Sequence, residues 1–156
     1  MSTETVKNIN ILVDDIATIL SDKIQQEPNE SIEFLSDWFS CLELTDWQSI
    51  EKYEDVGYAR INIHQSPDFD ILLVCWKPGQ YSPPHEHPSC GCLMKVIQGK
   101  LFEDVIYKGK VVSSKILEPG EVRFICNEMG KHSVRNKSGS NAVSLHIYSP
   151  GKYKPA

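Results

Sequence analysis

The chain has 156 residues, enough for one domain with a substantial core, and 16 Lys and Arg stand against 21 Asp and Glu, a net charge of −5. That balance, with no basic run anywhere, argues against nucleic acid or an anionic membrane surface as a partner, and no apolar run approaches the ~20 residues needed to span a bilayer. The opening MSTETVKNINILVDD lacks a basic segment followed by an apolar one, so no signal peptide is expected; five cysteines without a framework spacing fit free thiols in a reducing, cytoplasmic setting.

Residues 1–55 read as helical. Val6, Ile9, Val13, Ile16 and Ile19 recur at intervals of three and four, the period of an amphipathic helix. Ser31 is placed to start a second helix with Ile32, Leu35 and Phe39 on its apolar face, and Thr45 followed by Gln48 fits the capping box of a short third one ending near Tyr53. From Gly57 onward the pattern changes to short strands, expected near 57–64, 70–76, 90–97, 100–107, 110–117, 121–126, 132–137 and 142–148. Gln98-Gly99, Lys108-Gly109 and Ser138-Gly139 are turn signals between them. Many short strands with tight turns predict a mainly β chain folded as an antiparallel barrel or sandwich with an N-terminal α-helical layer. No repeat or linker divides the sequence, so a single domain over 1–156 is expected, with the helical layer over 1–55 and the barrel over 56–150.

The segment GQYSPPHEHPSCGCLMKVIQGK, residues 79–100, concentrates the chemistry. On an extended strand residues two apart face the same side, so His85 and His87 can converge on one point. Pro83, Pro84 and Pro88 favour extended backbone around them. His132 opens a later predicted strand, and barrel closure would bring it beside the first two. Three neutral imidazoles on one face of a metal leave other positions open, a variation on the facial arrangement of iron oxygenases, which must hold both substrate and oxygen. An H-x-H pair by itself also fits a surface or core pair without metal. A non-enzymatic metal-binding module using His85, His87, Cys90 and Cys92 is a further alternative, although structural zinc motifs space paired cysteines by about two to four residues and here one intervenes.

The wider spacing resembles a family. Gly79, five residues, His85-x-His87, four residues, Cys92, six residues and Gly99 resemble the first motif of the cupins, with Cys92 in the usual glutamate position. His132, three residues and Asn136, after Pro119-Gly120, resemble the second motif. Cysteine in place of that glutamate resembles the cysteine dioxygenases, the thiol-oxidising cupins. YARINI (58–63), LLVCW (72–76), LMKVIQGKL (93–101) and AVSLHIYSP (142–150) resemble that family in the same order, over about residues 50–150. The resemblance implies a cupin-type, jelly-roll-like barrel, an Fe(2+) cofactor on His85, His87 and His132, and oxidation of L-cysteine by O2 to cysteine sulfinate in a monomeric cytoplasmic enzyme of cysteine catabolism and taurine biosynthesis. Dioxygenation of another small thiol, 3-mercaptopropionate or cysteamine, is the alternative within the family. The sequence ends soon after Tyr148, so the C-terminal hairpin that helps to close the site in longer members is expected to be missing.

Ser144, His146 and Tyr148 alternate with Val143, Leu145 and Ile147. From the residues alone this fits a half-exposed strand with its polar side out, though a solvent face more often carries Lys, Glu or Thr. The resemblance implies instead a hydrogen-bonded relay, Tyr148 innermost, His146 orienting it and Ser144 behind, with His146 not a metal ligand. Tyr58 and Arg60 share a face opposite Ile61 and Ile63, again as in a solvated strand. The arginine fork suits bidentate capture of a carboxylate; by resemblance Arg60 holds the carboxylate of substrate cysteine and Tyr58 helps to fix it. Related mercaptopropionate dioxygenases usually carry glutamine at the Arg60 position, which favours an amino-acid thiol. Cys92 has the wrong parity to share a face with His87 on one regular strand, so a bend or bulge at Gly91 is expected. Read alone, Cys92 is a small buried hydrophobe; some family members join this cysteine by a thioether to the tyrosine matching Tyr148. Cys41, Cys75 and Cys126 are expected in the core, and His64 on the surface.

Overall fold

The N-terminal third is less helical than its periodicity predicts in the structure, a computed structural model describing residues 8–152. Strand β1 (Ile9–Ile11) precedes helix α1 (Val13–Gln26), and a 3₁₀ turn (Ile32–Leu35) runs into α2 (Ser36–Cys41). Strand β2 (Leu42–Leu44) then returns to pair with β1 in parallel. Ile9 therefore belongs to a strand and not to the helical stripe, and Val6 lies outside the described residues. Ser31 starts its helical segment as expected, its hydroxyl accepting from the Glu33 N–H at 3.2 Å. The expected third helix is only a 3₁₀ turn (Trp47–Ile50), and Thr45 forms no capping box. Its neighbour Asp46 instead accepts from the Val13 N–H at 2.8 Å, so it satisfies an orphan donor at the start of α1.

Nine strands follow: β3 (Ala59–Gln65), β4 (Asp70–Trp76), β5 (Tyr81–His85), β6 (Cys92–Gln98), β7 (Leu101–Tyr107), β8 (Lys110–Leu117), β9 (Val122–Ile125), β10 (Lys131–Arg135) and β11 (Ala142–Tyr148). They form two antiparallel sheets, one in the order β3-β4-β11-β6-β9 and one in the order β5-β10-β7-β8. Strand β5 is absent from the sequence-based set, although Pro83 and Pro84 favour the extended backbone it adopts. It lies at a sheet edge, where a missing N–H breaks no bond.

Alternation along the strands sorts residues into two cores. Leu72, Val74, Trp76, Met94 and Val96 from the first sheet meet Leu101, Leu117 and Val134 from the second. Ile71, Leu73, Cys75, Leu93, Leu145 and Ile147, on the opposite face of the first sheet, pack against Ile16, Leu20, Ile32, Leu35 and Phe39. The result is a helical layer on a two-sheet barrel. Because β4 is covered on both faces, it reads as the unbroken apolar run ILLVCW. Lys95 lies within the helix–sheet junction: it is 7% exposed, and its ammonium donates to the carbonyls of Phe39 (3.1 Å), Ser40 (3.0 Å) and Leu42. It thereby ties the end of α2, where helical carbonyls lack partners, to β6. No helix among the described residues is long and apolar enough to cross a membrane.

Candidate metal centre

The closing residue of β5 is His85, and His132 stands opposite it in register on β10. His87 arrives differently from the strand expectation. It lies two residues beyond the end of β5, ahead of a turn in which the Gly91 N–H donates to Pro88 O at 2.9 Å. The three rings nonetheless converge, with centroids 4.5–5.2 Å apart and one ligand atom from each within 4.8 Å of the others. His87 and His132 are buried and His85 half-buried.

The donor set fits a cation. His85 Nδ1 lies 2.9 Å from Pro83 O, and His132 Nδ1 lies 2.9 Å from the Glu103 carboxylate. Both partners are acceptors, so each Nδ1 carries the hydrogen and each Nε2 presents a lone pair. Those two Nε2 atoms face one another at 3.0 Å, and both ring nitrogens of His87 are buried without a hydrogen-bond partner among the described residues. A metal ion relieves both situations. Burial, followed by the neighbouring His132, pushes the His85 imidazole down to about 4; burial, with His132 and His85, pushes His87 down to about 2. Both are held neutral, the ligating form.

Glu103 escaped the sequence reading. It is 1% exposed and also accepts from Arg123 Nε at 2.7 Å. Burial pushes its carboxyl up, but His132 and Arg123 together hold it below the usual carboxylate range. The available signal was a carboxylate in phase with Leu101 and Val105 on the buried face of β7.

In the polar row of β11 Ser144 and His146 are buried and Tyr148 is half-buried at the cavity, so the row does not face solvent. Trp76 Nε1–H donates to Ser144 Oγ at 3.0 Å, Ser144 Oγ lies 2.7 Å from His146 Nε2, and His146 Nδ1 lies 3.3 Å from the Tyr148 hydroxyl. Indole can only donate, so Ser144 accepts from Trp76. Burial above all keeps His146 neutral, so one of its ring nitrogens donates and the other accepts between Ser144 and Tyr148. Tyr148 lines the cavity, with the Cys92 thiol within hydrogen-bond reach of its hydroxyl. Trp76, another residue the sequence reading passed over, anchors the outer end.

Cys92 opens β6 directly opposite Tyr148 on β11. The expected bend at Gly91 is a tight turn between two sheets and not a bulge within one strand. Its φ is +96°, and a Cβ there would approach the Phe124 ring to 2.6 Å. Burial, then the Glu103 charge, pushes the Cys92 thiol up; burial, then Cys92, does the same to Tyr148. Cys90 packs against the helix-side core, its N–H donating to Ser149 O and its carbonyl accepting from the Ile32 N–H. The module of two histidines and two cysteines is thus not assembled, and the converging group among the described residues contains histidines alone. Cys75 is buried as expected, whereas Cys41 and Cys126 are half-buried; His64 is also half-buried, stacked on Phe69 at 4.7 Å.

A cavity of about 250 Å³ reaches from His85 and His132 to Tyr148, with Tyr58 and Arg60 in its wall. Tyr58 stacks on Trp76, ring centroids 4.6 Å apart. Arg60 is exposed and forms no salt bridge among the described residues, so its guanidinium is available to an entering anion.

A family model described as cysteine dioxygenase type I matches residues 1–154. Cysteine dioxygenase type 1 from Homo sapiens is 31% identical over 115 residues, covering 68% of this chain and 58% of that protein. The Danio rerio protein of the same name is 30% identical over 115 residues, covering 67% and 57%. The chain thus spans 57–58% of the length of these curated relatives. Among solved structures, the TT1209 protein from Thermus thermophilus superposes with a TM-score of 0.60 at 27% identity, over 69% of this chain and 97% of that one. A cupin superfamily protein from Desulfitobacterium hafniense gives 0.56 at 17% identity, over 69% and 90%, a likeness of fold alone. The barrel is of the expected cupin type.

Proposed function

The chain belongs to the cysteine dioxygenase type I family, and on that premise we propose that it is an iron-dependent thiol dioxygenase converting L-cysteine and O2 to cysteine sulfinate. The observation that carries the reading is one cavity joining an all-histidine metal site, an unpaired arginine and a hydrogen-bonded relay ending in a tyrosine. Ferrous iron held by His85, His87 and His132 would supply the redox chemistry and the Lewis acidity that draws a substrate thiol into its thiolate form.

The chain's own residues do the rest. Three neutral imidazoles bring no negative charge to the centre, so an anionic sulfur is favoured beside them. Arg60 receives the substrate carboxylate through its two-pronged fork and sets the thiol toward the histidines. Tyr58, braced on Trp76, limits where that carboxylate can lie. Tyr148 donates its hydroxyl hydrogen to the substrate, while His146, kept neutral, holds the phenol in place without adding a cation beside Arg60. The contribution is positioning and electrostatics. Both oxygen atoms of O2 end on sulfur, RSH + O2 giving RSO2H, so no external reductant is consumed. Free cysteines throughout the described chain are consistent with a reducing, cytoplasmic setting.

The test is oxygen uptake by iron-loaded protein with L-cysteine, 3-mercaptopropionate and cysteamine, with the product made under isotopically labelled O2. Cysteine sulfinate carrying both labelled atoms is expected. Metal-dependent uptake confined to cysteamine would overturn the substrate assignment.

A further inference from the structure

Two of the three ligand rings are steered through their second nitrogen, by Pro83 for His85 and by Glu103 for His132. His87 has no such partner. Its segment also lies outside the strands, so no ladder fixes its backbone. Both its peptide groups are instead held by a single side chain 40 residues away: the His87 N–H donates to Asn127 Oδ1 at 2.8 Å, and Asn127 Nδ2 donates to His87 O at 2.8 Å. A primary amide offers a donor and an acceptor side by side, so it imitates the missing strand and satisfies backbone groups that would otherwise be left unpaired. Asn127 also opens the 3₁₀ turn Asn127–Met129, whose end, with the Gly130 N–H on Asn127 O at 3.1 Å, leads into β10 and His132.

We propose that Asn127 is a positioning residue of the metal centre, a two-point clamp that sets the reach of His87 and ties it to the segment delivering His132. The proposal rests on the reading of the three histidines as metal ligands. The clamp stands where a ring-directed partner is usual: a ligating histidine almost always passes its second N–H to a neighbour, and loss of that neighbour typically weakens metal binding about 10–100-fold. Asn127 reaches the same end through the backbone.

The experiment measures Co(II) affinity of metal-free protein from its visible absorption, without turnover, for Asn127→Ala in the wild-type and in the His87→Ala background. Asn127→Asp, which keeps the acceptor for the His87 N–H and loses the donor to its carbonyl, serves as a milder variant should the alanine form fold poorly. If the clamp acts through His87, Asn127→Ala loosens Co(II) about 10–100-fold in the wild type. In the His87→Ala background it changes affinity by no more than about 2-fold, the scatter of uncoupled sites. Asn127→Asp falls between wild type and Asn127→Ala. Equal losses in both backgrounds would show a general structural role and overturn the proposal, as would undiminished affinity in both Asn127 variants. Wild-type protein that binds no Co(II) would overturn the metal reading itself and the clamp with it, a result distinguishable from the other two.

Discussion

Cys92 and Tyr148 are direct cross-strand partners on β6 and β11, and both pack into the cluster formed with Val105 and Ile125. Opposed residues on adjacent antiparallel strands have Cβ atoms only about 4.5–5.5 Å apart. That proximity favours the thioether: joining Cys92 Sγ to the Tyr148 ring removes two protons and two electrons, which O2 accepts to become H2O2. Protein kept under turnover with iron and L-cysteine is expected to run as two bands on a denaturing gel, and Cys92→Ala as one, with reduced but measurable activity. A free Cys92 and an unmodified Tyr148 in every molecule, by peptide mapping, would contradict this.

Arg60 stands exposed in the cavity wall, so its charge is partly screened until substrate covers it. Removing one partner of a covered charge pair costs roughly 2–5 kcal/mol, and the screening places Arg60→Ala at the low end, about 2 kcal/mol in kcat/KM for L-cysteine. Cysteamine, which has no carboxylate, should change little. Equal losses for both thiols would assign Arg60 to the fold.

Much of this was legible in the chain because the signals are local. Strand alternation, Gly-containing turns and the spacing of His85, His87 and Cys92 survive without knowledge of the fold. The misses share a different cause. β5 carries two prolines that a sheet edge tolerates, and Asp46 caps a helix 33 residues away. Glu103, Trp76 and Asn127 each act on a partner distant in sequence, so their roles exist only after the sheets close. The strand rule that pairs His85 with His87 holds for His85 alone, since His87 reaches the centre from beyond the strand.

Acid should destabilise the metal-free protein in a defined window. His85 and His87 have folded values of about 4 and about 2, below the ~6.5 of an unfolded histidine. Between these values the unfolded chain binds more protons than the folded one, so stability rises with pH. The histidine contribution is present above about 6.5 and is lost as pH falls toward about 4. Thermal unfolding of metal-free protein at pH 7, 5.5 and 4.5 should show a falling midpoint, with a shallower fall in His87→Gln. A midpoint that rises on acidification would contradict the neutral assignment.

Lys95 predicts a separation of stability from chemistry. Lys95→Met keeps the buried stem and removes the ammonium, leaving three carbonyls at the end of α2 without their shared donor. Hydrogen bonds to a charged group contribute roughly 1.5–3 kcal/mol, so denaturant unfolding should show a loss of about 2–3 kcal/mol. Metal stoichiometry should be unchanged. A variant as stable as wild type would show that water replaces the ammonium at no cost.

One catalytic iron on His85, His87 and His132 is the reading on which the proposed function stands. Its most direct test is iron content measured alongside L-cysteine-dependent oxygen uptake, in wild type and in His132→Ala, which removes the ligand that Glu103 orients. One iron per wild-type chain is expected, with loss of both iron and uptake in the variant while the apo fold persists. Full iron content with wild-type uptake in His132→Ala would contradict it.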